Sequence, residues 1–163
     1  MSTASITAAD GTNVQERPRS LPLLLLPVLS VVGLGTTGYL TYVRLIHADP
    51  ACSLVRGCET VASSPYASIG AIPVATLGFA LYASILVLGV LVLRGPFAFR
   101  PWALLGIFGL TLFGTLYSGY LTYIELFVLQ AICQWCLTSA AVVTVMFGLS
   151  LFVLLRPPGA PAD

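Results

Sequence analysis

Residues 131–155 read AICQWCLTSAAVVTVMFGLSLFVLL and contain no charged side chain. About 20 apolar residues are enough for a helix to cross the hydrocarbon core of a bilayer. The run is apolar on every face, whereas a membrane strand would alternate apolar and polar residues. A C-x-x-C pair, Cys133 and Cys136, stands at its very start. The stretch therefore predicts a membrane helix that begins at a pair of thiols.

Three further apolar runs of similar length precede this one in the 163-residue chain. The predicted spans are 21–46, 72–93, 102–126 and 131–155. The sequence is 58% hydrophobic and only 8% charged, against roughly 25% charged residues in soluble domains. Small residues are frequent in the runs and let membrane helices approach closely. We predict an all-α membrane protein, a four-transmembrane-helix bundle with an outer loop or short helix between the first two helices.

The arginines predict the orientation of this bundle, because positively charged residues favour the cytoplasmic side of a membrane. If all four runs cross, five of the seven arginines fall on one side: Arg17, Arg19, Arg94, Arg100 and Arg156. Arg44 and Arg56 fall on the other side. We therefore predict a cytoplasmic tail over 1–20, a membrane domain over 21–156 and a cytoplasmic tail over 157–163. The formal net charge of +1 gives no indication of nucleic-acid binding.

This orientation brings all four cysteines of the chain to the outer face. Cys52 and Cys58 form a C-x5-C pair in the first outer loop, and Cys133 and Cys136 lie at the outer start of the fourth helix. A thiol at a helix N-terminus has a lowered pKa, which favours the thiolate. At 1.5 Å rise per residue, Cys136 lies about 4–5 Å deeper than Cys133. The pattern indicates a relay from a soluble thiol protein, through the two pairs, to a hydrophobic electron acceptor.

Two other interpretations of the cysteines remain open at this point. The four could form two structural disulfides, although a bridge between Cys133 and Cys136 would close a loop too short to give much stability. They could also hold a thiophilic metal ion, but the C-x5-C spacing is not that of a zinc knuckle and His47 is the only other candidate ligand nearby. We expect no metal.

Two longer stretches resemble the bacterial homologues of vitamin K epoxide reductase (VKOR). One is ACSLVRGCETVASSPYASIGAIPVATLGFALY, residues 51–82, where a loop cysteine pair precedes a Ser-Ser-x-Tyr-Ala motif and an Ile-Pro-Val helix entry. The other is YIELFVLQAICQWCLTSA, residues 123–140, where an acidic residue precedes C-x-W-C. The resemblance covers roughly residues 20–156. A DsbB-type protein, the nearest alternative, has its C-x-x-C pair in the first outer loop instead of the second.

The resemblance implies a quinone-reducing thiol:disulfide oxidoreductase in the bacterial cytoplasmic membrane. Cys52 and Cys58 would be the shuttle pair, and Cys133 and Cys136 would pass electrons to menaquinone, ubiquinone or a related quinone. The thiol donor would be a thioredoxin-like, DsbA-like protein. Many bacterial members carry such a domain after the fourth helix, whereas this sequence ends seven residues after Arg156, so we expect a separate partner.

Four further residues are candidates for the quinone site, and each has a simpler alternative. Ser64 matches a polar residue of the family, but a serine before Pro65 also predicts the start of a short helix. Tyr66 offers a hydroxyl donor. Glu125 is a candidate for hydrogen bonding or proton relay, or an interfacial carboxylate. Trp135 is a candidate ring-stacking residue or an interfacial anchor.

Overall fold

The computed structural model describes residues 20–48, 50–52, 57–94, 96 and 99–155. Within these ranges the chain forms α1 (Ser20–Leu45), α2 (Cys58–Ala62), a 3₁₀ turn (Pro65–Ala67), β1 (Ser68–Ile69), β2 (Ile72–Pro73), α3 (Val74–Arg94), α4 (Arg100–Phe127) and α5 (Gln134–Leu155). The predicted tails lie outside the described residues except for Ser20, which already belongs to α1. Arg56 and Arg156, on which the predicted orientation partly depends, also lie outside them.

The four long helices α1, α3, α4 and α5 form a closed ring. α1 packs on α3, α3 on α4, α4 on α5, and α5 packs back on α1. In the described part of the chain these are the four helices long and apolar enough to cross a membrane. The prediction of an all-α, four-helix membrane bundle is therefore confirmed.

The centre of the bundle is closely packed by one apolar side chain from each long helix. Leu26, Ile85, Ile107 and Met146 are all almost completely buried. Large apolar side chains on the outer surface of the helices remain exposed, as expected where lipid rather than water surrounds a bundle. Close approach of α1 and α3 requires Gly33, because a Cβ there would overlap the Tyr82 ring.

Two helices begin later than the sequence predicts. The second span was expected from residue 72, but Ile72 and Pro73 pair with Ile69 and Ser68 in an antiparallel hairpin, so α3 begins at Val74. Gly70 has a φ of +61° in the two-residue turn of this hairpin, a conformation that glycine adopts without steric cost. The hydrophobic run gives no sign of this hairpin, because strand and helix residues are equally apolar there.

The fourth span was expected from residue 131, but α5 begins at Gln134. Gln130 adopts a left-handed φ of 47°, which turns the chain between α4 and α5. Cys133 lies just before the helix, and its carbonyl accepts the N–H of Leu137 at 3.0 Å, the first hydrogen bond of α5. Cys133 is therefore the N-cap residue of α5 rather than a member of its first turn.

Candidate active site

A cavity of about 240 Å³ lies at one end of the bundle, where α3 and α5 begin. We call this end the cysteine end. Most of the cavity lining is apolar, and three of the four cysteines, Cys58, Cys133 and Cys136, lie on its wall. The tertiary fold thus brings together cysteines that lie up to 78 positions apart in sequence (136 − 58).

Cys133 and Cys136 are free thiols held by the geometry of a helix start. The Cys136 N–H donates to Cys133 Sγ at 3.4 Å, so the sulfur occupies the place of an oxygen in an ordinary N-cap. The pKa of the Cys133 thiol is below its usual range, chiefly because the Cys136 thiol donates a hydrogen bond to it. Burial and the negative charge of Glu125 oppose this shift. The arrangement favours a thiolate at Cys133.

Glu125 reaches this helix start from the end of α4. Its carboxylate accepts the Cys133 N–H at 3.1 Å, and the Cys136 thiol is a second hydrogen-bonding partner. In an ordinary capping box, the acidic side chain at the third helical position accepts the N–H of the N-cap residue. In α5 the third position is Cys136, and the carboxylate of Glu125 accepts the Cys133 N–H instead. Glu125 is only 6% exposed and lines the cavity, so it is not a carboxylate facing water.

The loop pair is in a different state, because Cys52 and Cys58 form a disulfide. Cys58 is 1% exposed at the start of α2, whereas Cys52 is partly exposed. Gly57 packs directly on the chain before α5: a Cβ there would lie 2.6 Å from both the N and the O of Ile132. The Cys58 end of the disulfide therefore packs against Ala131 and Ile132, the two residues before Cys133.

This packing changes the expected exposure of Cys133. From helix depth alone Cys133 was expected to lie nearer water than Cys136, yet it is 3% exposed while Cys136 is partly exposed. The reason is the contact of Gly57 with Ala131 and Ile132, which places the loop over the start of α5. A reaction partner of Cys133 therefore comes from the loop or from the cavity, and not directly from solvent.

Ser64, Tyr66 and Glu125 all lie on the cavity wall, whereas Trp135 is not among the described lining residues. The 3₁₀ turn begins at Pro65, as predicted, but the Ser64 hydroxyl does not cap it. The Ser64 hydroxyl donates instead to the carbonyl of Val61 at 2.7 Å.

Trp135 contacts the loop: its indole N–H donates to the carbonyl of Ala51 at 2.9 Å.

Sequence reasoning missed several residues that shape the site. Gly57 packs on Ile132, and the Tyr39 hydroxyl accepts the N–H of Ala51. Arg44 donates to the carbonyl of Ala62, at the end of α2, at 2.6 Å. Tyr82 lines the cavity and donates to the carbonyl of Ser139 at 2.8 Å. The glycine immediately before Cys58 was the one sequence signal that pointed to a close backbone contact.

Within the described residues, no group of three or more His, Cys, Asp or Glu side chains is placed to hold a metal ion. The disulfide also removes Cys52 and Cys58 as thiolate ligands in this state. Two cysteine pairs in opposite redox states, gathered at one end of an apolar four-helix bundle, define a class of membrane protein suited to thiol–disulfide exchange.

The chain belongs to the vitamin K epoxide reductase family, whose pattern it matches over residues 24–151. It is also similar to the thiol-disulfide oxidoreductase LTO1 of Arabidopsis thaliana, with 30% identity over 120 residues, which is 71% of this chain and 32% of that protein. The chain thus spans about a third of the length of this relative. The resemblance of the two cysteine motifs to this family is confirmed, and the match favours it over a DsbB-type lineage.

Proposed function

We propose that the protein is a quinone-dependent thiol oxidoreductase that reoxidises a thioredoxin-like, DsbA-like dithiol protein. The observation that carries this proposal is the common cavity, on which Cys58, Cys133 and Cys136 all lie. Membership of the family and the similarity to a thiol-disulfide oxidoreductase support it. The apolar lining suits an acceptor that dissolves in the bilayer.

The loop disulfide receives electrons first in this proposal. A thiolate of the partner attacks Sγ of Cys52, the more exposed of the two loop cysteines; the Cys52–Cys58 bond breaks and Cys58 leaves as a thiolate. The second thiol of the partner then attacks the mixed disulfide. The partner leaves oxidised, and the loop keeps the two electrons as a dithiol.

The electrons then move to the helix pair. Cys58, which Gly57 holds over the start of α5, attacks Cys133 in a Cys133–Cys136 disulfide, and Cys136 leaves. Cys52 attacks Cys58 in the resulting Cys58–Cys133 bond, which restores the loop disulfide and releases Cys133. The lowered pKa of Cys133 favours its departure as a thiolate. The described state, an oxidised loop above a reduced helix pair, is the state that follows these steps.

The acceptor proposed for the helix pair is menaquinone, ubiquinone or a related quinone. A quinone takes up two electrons and two protons. Closure of the disulfide from a Cys133 thiolate and a Cys136 thiol releases two electrons and one proton, and water supplies the second proton. Glu125, a hydrogen-bonding partner of the Cys136 thiol, is placed to take the thiol proton. Ser64 and Tyr66, on the same cavity wall, are the proposed hydroxyl contacts. Trp135 was a further candidate, but its contact with Ala51 favours a different role.

We place the protein in the bacterial cytoplasmic membrane with both termini in the cytoplasm and the cysteine end outside. The distribution of arginines supports this orientation, and the oxidising outer compartment is where disulfides persist. Four helices able to cross a membrane support the membrane location itself. The thioredoxin-like partner would meet the protein at this outer face.

The test is quinone reduction by the purified protein, with reduced DsbA as thiol donor and a short-chain ubiquinone or menadione as acceptor. Cys133→Ala and Cys136→Ala should each abolish turnover, because each removes one of the two sulfurs of the reduced pair. Thr138→Ala, in the same helix turn and exposed, is the matched control and should keep full activity. If either cysteine variant retained full turnover, the relay would be wrong and two structural disulfides would explain the cysteines better.

A further inference from the structure

The peptide of Ala51, immediately before Cys52, is held by two side chains from different helices. Its N–H donates to the Tyr39 hydroxyl of α1 at 3.1 Å, and its carbonyl accepts the Trp135 indole N–H of α5 at 2.9 Å. The two rings also contact each other, with centroids 4.8 Å apart. We call Tyr39 and Trp135 the latch. It satisfies both backbone polar groups of one loop residue.

The two ends of the loop disulfide are held in different ways on the same segment. Gly57 and the buried Cys58 rest on Ile132, just before α5. Ala51 is held by Trp135, in the first turn of α5. The Cys58 end is fixed by steric packing, whereas the Cys52 end is fixed by the disulfide itself and by the latch. Once the disulfide opens, the latch is the contact among the described residues that still holds the Cys52 end.

The disulfide is open during one step of the proposed relay. While Cys58 is bonded to Cys133, Cys52 must return to attack Cys58. Six peptide units separate Cys52 from Cys58, and at 3.3–3.6 Å per residue an extended chain would allow them to move about 20 Å apart. Thiol–disulfide exchange requires the attacking sulfur in contact with its target, and confinement of a reactant near its target raises its effective concentration.

We propose that Tyr39 and Trp135 are positioning residues that keep Cys52 beside Cys58 for this resolving step. In the step, Cys52 Sγ forms a bond with Cys58 Sγ and the Cys58–Cys133 bond breaks. Cys133 leaves as a thiolate, so the two electrons stay on the helix pair, and the proton of Cys52 is lost to water. The inference rests on the proposed function, because it concerns one step of the same relay.

The position of the latch distinguishes this role from simple stabilisation of the fold. Both hydrogen bonds are exposed, where water competes for the same groups and the net contribution to folding is small. They act on the residue next to Cys52 and on none of the cavity-lining cysteines. Loss of the latch is therefore expected to change the lifetime of one intermediate more than the stability of the bundle.

The experiment traps the disulfides of the full-length protein during turnover. The protein in detergent is mixed with dithiothreitol and menadione, quenched in acid, alkylated, digested and analysed by mass spectrometry without reduction. Tyr39→Phe and Trp135→Phe each remove one hydrogen bond and keep an aromatic ring. Tyr42→Phe on the same helix and Trp102→Phe are the matched controls, at residues 62% and 74% exposed. Cys52→Ser removes the resolving thiol and serves as the reference for complete accumulation of the Cys58–Cys133 disulfide.

We expect Tyr39→Phe and Trp135→Phe to accumulate the Cys58–Cys133 disulfide with free Cys52 several-fold above the parent and the two controls, with unchanged thermal unfolding. If Cys52→Ser accumulates this form but both latch variants match the parent, the latch proposal is overturned and the relay stands. If Cys52→Ser does not accumulate it either, the relay itself fails. If one latch variant does not fold, the other gives the same test, because each alone removes one of the two bonds at Ala51.

Discussion

The two cysteine pairs differ in what holds them. Cys52 and Cys58 lie six positions apart, with Cys52 in the loop and Cys58 at the start of α2. They are joined by a disulfide and kept in place by contacts with other segments. Cys133 and Cys136 lie at the start of a helix, are free, and are held by the capping hydrogen bonds of that helix. The loop pair owes its position to tertiary contacts, and the helix pair owes most of its position to local structure.

This difference matches the two tasks that the proposed relay requires. A pair that receives electrons from a protein outside the membrane needs one accessible sulfur, and Cys52 is partly exposed. A pair that delivers them to a hydrophobic acceptor needs shielding and a stable thiolate, and Cys133 is buried with a lowered pKa. The junction between the two pairs is the contact of Gly57 with Ile132, and the most informative variants act on or near this junction.

Among variants that keep all four cysteines, the largest effect is expected from Gly57→Ala. The new Cβ would lie 2.6 Å from backbone atoms of Ile132, which cannot rotate away as a side chain can, so the loop must lift from the start of α5. Overpacking costs about 1–3 kcal/mol, so at 1.4 kcal/mol per tenfold the equilibrium constant for docking of the loop falls about 5- to 140-fold. We expect the rate of electron transfer from dithiothreitol to menadione to fall accordingly.

Gly35→Ala is the matched control for this prediction. Gly35 lies within α1 and a Cβ there would meet no atom within 4 Å, so full activity is expected. Equal rates for Gly57→Ala and the parent would show that close docking of the loop is not required. The loop pair would then transfer electrons without a fixed position, unlike the helix pair.

Sequence and structure agree best where a local rule acts. The four membrane helices follow from the length of each apolar run, although α3 begins two residues and α5 three residues after the predicted starts at 72 and 131. The start of the 3₁₀ turn at Pro65 follows from the restriction that proline places on the backbone. These features depend on neighbouring residues, and sequence contains that information directly.

Sequence and structure diverge where two distant segments meet. Nothing near Gly57 in sequence indicates that it rests on Ile132, and nothing near Trp135 indicates that it binds Ala51 rather than a ligand or the membrane interface. The burial of Cys133 has the same origin, because it depends on the loop above it. Glu125 was recognised as a candidate, but its bond to the Cys133 N–H depends on how the chain turns between α4 and α5.

An intermediate effect is expected from Glu125, which acts on the helix pair alone. Glu125→Ala leaves the buried Cys133 N–H without its acceptor, a loss of about 1–3 kcal/mol, and we expect quinone reduction to fall about tenfold. Glu125→Gln keeps an oxygen for this bond and removes the negative charge. Because that charge raises the pKa of Cys133, the pKa of Cys133 should fall further in Glu125→Gln.

Ultraviolet thiolate absorbance of the reduced protein against pH measures this second effect. In the parent, the thiolate signal of Cys133 should persist as the pH falls below the usual thiol pKa of about 8.5, since hydrogen bonding from Cys136 lowers the pKa. Glu125→Gln should extend it to lower pH, and Cys136→Ala, which removes the donor, should shift it upward. A curve for Glu125→Gln displaced to higher pH would contradict the assigned electrostatics.

The smallest effect is expected from Ser64, for which the chain supplies its own control. Ser63 and Ser64 both donate to carbonyls of α2, to Glu59 at 2.9 Å and to Val61 at 2.7 Å, but of the two only Ser64 lines the cavity. If the Ser64 hydroxyl contacts the quinone, Ser64→Ala should raise the KM for menadione about threefold while Ser63→Ala leaves it unchanged, because one neutral hydrogen bond contributes about 0.5–1.5 kcal/mol. Equal KM values for the two variants would limit Ser64 to the local bond with Val61. The electron acceptor would then be recognised by the apolar wall and by the helix pair. The loop pair would depend on specific contacts for its position, whereas the helix pair would accept its ligand through an apolar surface.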